Sequence, residues 1–229
     1  MERTWYAASG SKAAELWTIL HLPYTAMNLS FLAMGFGIAG IHRWDVFAWI
    51  TAAYFLGLTA AHALDQLPGQ GTTYVKHLTP KDLSVIGAFS FIVAVTIGIK
   101  WMVTLGAWHL LWIIPLQTFF VVAYPYSRFA GGFFHNDFWF GLSFGFIPVM
   151  AGYYINTLTL TGWFLPWALV AALIAWMEIT LSRYVRQIRA VPIPFALPVT
   201  LLRPERALKL LCLLSYLLAA ILILGVIPP

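Results

Sequence analysis

The sequence predicts an all-α protein: a polytopic transmembrane helical bundle of about seven spans, a single domain over residues 1–229. Three observations predict it. The chain is 61% hydrophobic and only 9% charged, with a mean hydropathy of +0.83. A water-soluble domain needs a polar outside and cannot hide that much apolar surface, whereas lipid tolerates it. The apolar residues fall into continuous runs about one bilayer long, without the in/out alternation of a membrane β-barrel. Backbone at lipid depth must satisfy its own polar groups, so runs of this kind are helices. Finally, the basic residues are segregated between the runs, which is the mark of a fixed orientation.

A span needs roughly 20 mostly apolar residues. Taken in order, the runs are about 20–41, 46–64, 83–104, 106–125, 138–158, 162–181 and 207–227. The division between the third and fourth rests on Lys100-Trp101 and Gly106. The segment before the first run, MERTWYAASGSKAAELW, has no short apolar stretch ending in a small-residue cleavage site, so no cleaved signal peptide is expected. Eleven Trp and ten Tyr suit a protein with two membrane–water interfaces, where amphipathic rings settle. A single cysteine, Cys212, excludes an intramolecular disulfide and a cysteine-based zinc site.

The net charge of +5 is small, and no nucleic-acid partner is expected; the distribution of charge is more informative. Alternating the sides of the runs puts Arg3, Lys12, Lys76, Lys81, Arg128, Arg183, Arg186, Arg189, Arg203, Arg206 and Lys209 together, against Arg43 and Lys100. The positive-inside rule then sets the N-terminus in the cytoplasm and GVIPP outside, in a plasma or inner membrane, with membrane lipid as the surrounding partner. Two connections on the basic side are long, 65–82 and 182–206, and loops carry function more often than the elements they join. The second contains Pro192, Pro194, Pro198 and Pro204, which no continuous helix crosses.

Ionisable residues inside a membrane are costly, and are functional or paired. His62 and Asp65 lie three apart on one helical face at the end of the second span. Asp137 opens the fifth span, as a helix cap or a cavity group. Glu178 lies about a turn before the end of the sixth, within reach of Arg183 or Arg186. Arg183, Arg186 and Arg189 follow at three-residue spacing and form one basic stripe if the segment is helical. They read either as a cytoplasmic anchor near anionic lipid or as a clamp for an anionic substrate. His21 and His109 read as core or interface residues. In GLSFGFIPVMAG, Gly141 and Gly145 form a small-xxx-small pair that lets another helix approach, with Gly152 following, and Pro148 kinks the span.

YPYSRF (124–129) resembles the Tyr-Pro-x-(Ser/Thr)-(Lys/Arg) signature of the UbiA prenyltransferase superfamily. GLSFGFIPVMAG resembles that family's Gly-rich fifth helix, KHLTPKDLS (76–84) the stretch opening its third, and ALPV (196–199) its Thr-Leu-Pro-Val stretch. The resemblance runs in order over nearly the whole chain. It implies a UbiA-like bundle, usually of nine helices, that transfers a prenyl group from a polyprenyl diphosphate to a lipid-soluble acceptor with Mg²⁺. Two aspartate-rich motifs would lie on the two long loops.

The motif letters depart from the family. AHALDQLPG keeps Asp65 as its only carboxylate, and Glu178 is the acidic residue near the second motif. Val185 and Arg189 stand at aspartate positions. The resemblance thus implies Asp65 and Glu178 as metal ligands or bases, and Lys76, Arg128, Arg186 and Arg189 as the diphosphate grip. His62, Tyr124 and Asp137 would be polar cavity groups. Mg²⁺ wants oxygen ligands, commonly carboxylates with substrate phosphate, so weak metal dependence is expected. Guanidinium groups can hold diphosphate themselves. Two functions remain: a prenyltransferase, or a non-catalytic relative that binds an isoprenoid, quinone or pigment or joins a larger membrane complex. The orientation is testable directly. A cysteine placed at Pro229 should react with an impermeant reagent in intact cells; labelling only after permeabilisation contradicts an outside C-terminus.

Overall fold

The computed structural model describes residues 6–8, 10–40, 43–67, 75–125, 129–190 and 197–225, with no side-chain description at 189–190 or 197–202. Among the described residues every regular element is helical. Lys12–Ile19 (α1) is capped by Ser11, whose hydroxyl accepts from the Ala14 N–H at 3.2 Å. The chain turns at His21, in the left-handed region at φ 45°, and enters Leu22–Ile38 (α2) with Pro23 in the first turn, where a missing N–H costs nothing. Trp44–Asp65 is α3 and Pro80–Leu105 is α4. A complete capping box opens α4: Asp82 N–H donates to the Thr79 hydroxyl at 3.1 Å, and Thr79 N–H donates to the Asp82 carboxylate at 2.9 Å. It stops at Gly106 in the left-handed conformation, the division expected from the sequence.

Leu110–Ala123 (α5) follows, then a 3-10 turn at Phe129–Gly132. Asp137–Phe140 (α6), a π-helical segment Gly141–Phe146 and Ile147–Thr157 (α7) make one rod. Phe164–Ala190 (α8) and Leu197–Ile223 (α9) complete the order. Among the described residues five helices are long and apolar enough to cross a membrane: α3, α4, the Asp137–Thr157 rod, α8 and α9. Helices α2 and α5, of 17 and 14 residues, also fall on predicted runs but are shorter.

Two expectations are corrected here. The stretch 182–206 is not mainly a loop: α8 continues to Ala190 and α9 starts at Leu197, leaving only 191–196 between, outside the described residues. Proline excludes a continuous helix but not two helices meeting there; Pro198 sits in the first turn of α9, and Pro204 lies inside it. Asp137 does not cap the fifth span. Asn136 does, its side-chain oxygen accepting from the Trp139 N–H at 3.1 Å.

The rod sits at the centre: 72% of its membrane window is buried, against 22% for α4 on the periphery. Helices in lipid gain little from apolar burial against each other and associate through close backbone packing. Gly152 meets the Leu32 carbonyl of α2, and Gly35 of α2 meets the Val149 carbonyl of the rod. Nearer the start of the rod, Gly145 and Gly141 meet the Ala171 and Ala172 carbonyls of α8, the close approach expected of this pair. Pro148 cannot donate to the carbonyl four residues before it, that of Phe144. The Asn28 side-chain amide of α2 supplies that bond at 2.7 Å. At the far end, Lys100 lies over the rings of Trp49 and Trp101, 5.3 and 5.6 Å from their centroids, as a charge does at an aromatic interface belt.

Outside the spans, α1 fastens the connection into α4. The buried Glu15 carboxylate accepts from the backbone N–H groups of Lys76, His77 and Leu78 at 2.7, 2.7 and 2.9 Å, and pairs with the His77 ring at 2.7 Å. Lys12 adds an ion pair to Asp82 at 2.8 Å. Burial alone would raise the Glu15 pKa, but the His77 ring and the three N–H donors outweigh it and hold it at about 2.

Two outcomes are expected. Gly152→Ala places a Cβ against backbone that cannot give way, and should destabilise the bundle by about 3 kcal/mol in a chemical or thermal unfolding series; an unchanged midpoint contradicts the close approach. Because the Glu15 carboxyl is deprotonated down to about 2 in the native state and only to its ordinary 4.5 in the unfolded one, its contribution is present above 4.5 and is lost as pH falls toward 2. Amide-exchange protection of residues 76–78 should decline through that window and be low at neutral pH in Glu15→Ala.

Candidate functional site

Four of the helices converge their ends on one cavity of about 140 Å³. The start of α2 brings His21, Tyr24 and Asn28; the end of α3 brings Leu58, His62 and Asp65. Tyr124 and Pro125 come from the end of α5, and Glu178, Ser182, Arg183 and Arg186 from α8. Phe140 and Phe144, at the start of the rod, form an apolar wall. The π segment matters locally, since such insertions re-aim side chains and recur at functional sites; here it carries Phe144, whose carbonyl is the one held by Asn28.

The polar groups are arranged in two parts. On the α2–α3 side, the Tyr6 hydroxyl bonds His21 Nδ1 at 2.5 Å, and the His21 ring lies 4.4 Å from that of His62. His62 Nδ1 and Asn28 Oδ1 are buried without a hydrogen-bond partner among the described groups. Among the described residues Asp65 accepts only a long bond, 3.4 Å, from the Gln66 amide. On the α8 side, Arg183 pairs with Asp137 at 2.5 Å, not with Glu178, and donates to the His135 carbonyl at 3.4 Å. Thr180 donates to the same Asp137 carboxylate at 2.7 Å. The His135 ring bonds the Tyr124 carbonyl at 2.8 Å and stacks on the Tyr124 ring.

That leaves Glu178 and Arg186. Glu178 is 3% exposed, and among the described residues it has no hydrogen-bond or ion-pair partner. Arg186 is exposed; among the described residues its guanidinium makes one long bond, 3.4 Å, to the Ser182 carbonyl, and it acts electrostatically on His21, Asp65, Tyr124 and Glu178. A buried carboxylate without a partner is expensive and is retained for a reason. With Arg183 neutralised by Asp137, Arg186 is the cation of the described lining that faces both carboxylates.

Of the residues singled out from the sequence, Asp65, Glu178, His62, Tyr124 and Arg186 come together here. Asp137 does not line the cavity but orients Arg183, which does. Lys76 is not part of it: its side chain is exposed and its backbone is committed to Glu15. Arg128, and the side chain of Arg189, lie outside the described residues. His21, Asn28 and His135 were not singled out as cavity groups. His21 enters through a left-handed backbone that no sequence pattern marks, and Asn28 is one polar residue in an apolar helix. Asn28 does carry a weak signal, as a buried amide needs partners. Among the described residues no three of His, Cys, Asp or Glu converge as metal ligands. Two carboxylates on opposite helices do not fit a two-ion Mg²⁺ site, which asks for clustered oxygen donors. No family model matches the chain, and no curated protein and no solved structure matches it.

Proposed function

We propose that the chain is a UbiA-like integral membrane protein of about seven spans that holds a polyprenyl diphosphate by its head in the polar cavity and transfers the prenyl group to a lipid-soluble acceptor. The observation that supports this reading is the convergence of Asp65 and Glu178. Asp65 is the carboxylate left in the stretch that lines up with the family's first aspartate-rich motif, Glu178 is the acidic residue near the second, and both line the same cavity. In this reading Arg186 grips the diphosphate, with Arg189 and Arg128 as further donors. Guanidinium offers the bidentate geometry that phosphate oxygens match. The prenyl chain lies along the apolar wall of Phe140 and Phe144. In transfer, the acceptor's electron pair bonds to the first prenyl carbon and the carbon–oxygen bond breaks. Its pair leaves with the diphosphate, and the acceptor's proton passes to Glu178 or Asp65. Fixed cations stabilise the departing charge without solvent reorganisation.

A second reading has its own support. The paired state of Arg183 and the presence of only two carboxylates favour a non-catalytic relative that binds an isoprenoid, quinone or pigment, alone or within a larger membrane complex. The two share a cavity and part on turnover.

The test is affinity for farnesyl diphosphate, with inorganic diphosphate as competitor. Arg186→Lys keeps the charge and the topology but loses the fork, and should weaken binding about tenfold, or roughly 1.4 kcal/mol. Equal affinities would leave the arginines as a membrane anchor. Where turnover is seen, it should persist in EDTA; turnover abolished by EDTA and restored by Mg²⁺ contradicts an arginine-based site.

A further inference from the structure

A second cavity, of about 120 Å³, lies between α3, α4, α5 and α7, with Leu58 lining both it and the polar one. Its lining is apolar, with Ile50, Phe91, Ile113 and Ile155 among its walls, and it contains no charged residue. Tyr54 and Gln117 are its polar exceptions together with Thr118. The Tyr54 hydroxyl lies within interaction reach of the Gln117 side chain, but among the described residues neither that hydroxyl nor Gln117 Oε1 attains full hydrogen-bond geometry. An unmade buried hydrogen bond costs about 1–3 kcal/mol, so a pair left open at lipid depth calls for a partner.

Gly57 is the second, independent observation. Elsewhere in the bundle Gly35, Gly145 and Gly152 are explained by backbone pressed against them. At Gly57, by contrast, an added Cβ meets nothing within 4 Å. A glycine in a helix interior costs about 1 kcal/mol relative to alanine. Here no helix approach accounts for it; the missing side chain leaves room in the cavity it lines.

We propose that this cavity binds a neutral, membrane-soluble six-membered ring carrying a hydroxyl. The volume limits the ligand to about one ring: an apolar cavity of about 150 Å³ takes up benzene, and this one is about 120 Å³. The absence of charge in the lining excludes an ionic ligand, which would be buried unpaired. A hydroxyl is the group that both accepts from Tyr54 and donates to Gln117 Oε1. This site does not rest on the reading of the polar cavity, and its test involves no diphosphate.

The experiment is fluorine NMR titration of 4-fluorophenol against the full chain in lipid nanodiscs, with fluorobenzene as the ring without a hydroxyl. Wild type should bind 4-fluorophenol saturably and about tenfold more tightly than fluorobenzene. Gly57→Leu extends a side chain from a Cβ position that meets nothing within 4 Å and should abolish saturable binding of both while the thermal midpoint holds. The double variant Tyr54→Phe, Gln117→Leu should lower 4-fluorophenol affinity to that of fluorobenzene. Should Gly57→Leu fail to fold, Gly57→Ala, which only narrows the cavity, replaces it, with at least a threefold loss expected. Binding unaltered by filling the cavity, or equal affinities for the two probes in wild type, overturns the proposal.

Discussion

The close approach of the central rod to its two neighbours is the constraint on which the bundle depends. Between helices in lipid the hydrophobic effect supplies little, so association rests on how near two backbones can come. Gly152 and Gly35 bring the rod against α2, and Gly145 brings it against α8. With α2 and α8 both held against the rod, the start of one and the end of the other line the polar cavity. The π segment and Pro148 then set how the rod enters it, and Asn28 takes up the carbonyl that Pro148 leaves without a donor. Packing and site are therefore one device: the residues that let the helices touch also determine which polar groups face each other.

Within the cavity, charge is divided unequally. Asp137, Thr180 and the His135 carbonyl occupy Arg183 and tie α8 to the start of the rod. Arg186, one turn further, is not so occupied, and it faces Asp65 and Glu178 from one side. The arginine stripe at the end of α8 is thus not uniform: Arg183 holds an ion pair to the start of the rod, and Arg186 holds none among the described residues. Spacing alone could not make that distinction.

Much of the fold was legible. Hydrophobic runs of bilayer length place helices well because lipid leaves the backbone no alternative, and each run of the sequence contains a helix. The glycines of GLSFGFIPVMAG announced a close approach, though not which partners met them. What was not legible has physical causes. Prolines at 192–204 looked like a loop because proline interrupts a helix, but it is equally at home in a first turn, as at Pro198. The cavity gathers groups from residues 6 to 186. Sequence patterns report local periodicity, so they identified Asp65 and Glu178 as isolated costly residues and could not report that they share a space. His21 was hidden by its backbone conformation, and Lys76 was expected in the diphosphate grip from the resemblance, whereas its backbone is held by Glu15 and it does not line the cavity.

The central claim is that the cavity of Asp65, Glu178 and Arg186 is built for an isoprenoid diphosphate. Native mass spectrometry of the protein released from its membrane tests this most directly, with the bound small molecules identified by fragmentation. The account predicts a stoichiometric isoprenoid diphosphate, retained in wild type and lost in Arg186→Ala. Recovery of bulk phospholipid alone, identical in the two proteins, would contradict it.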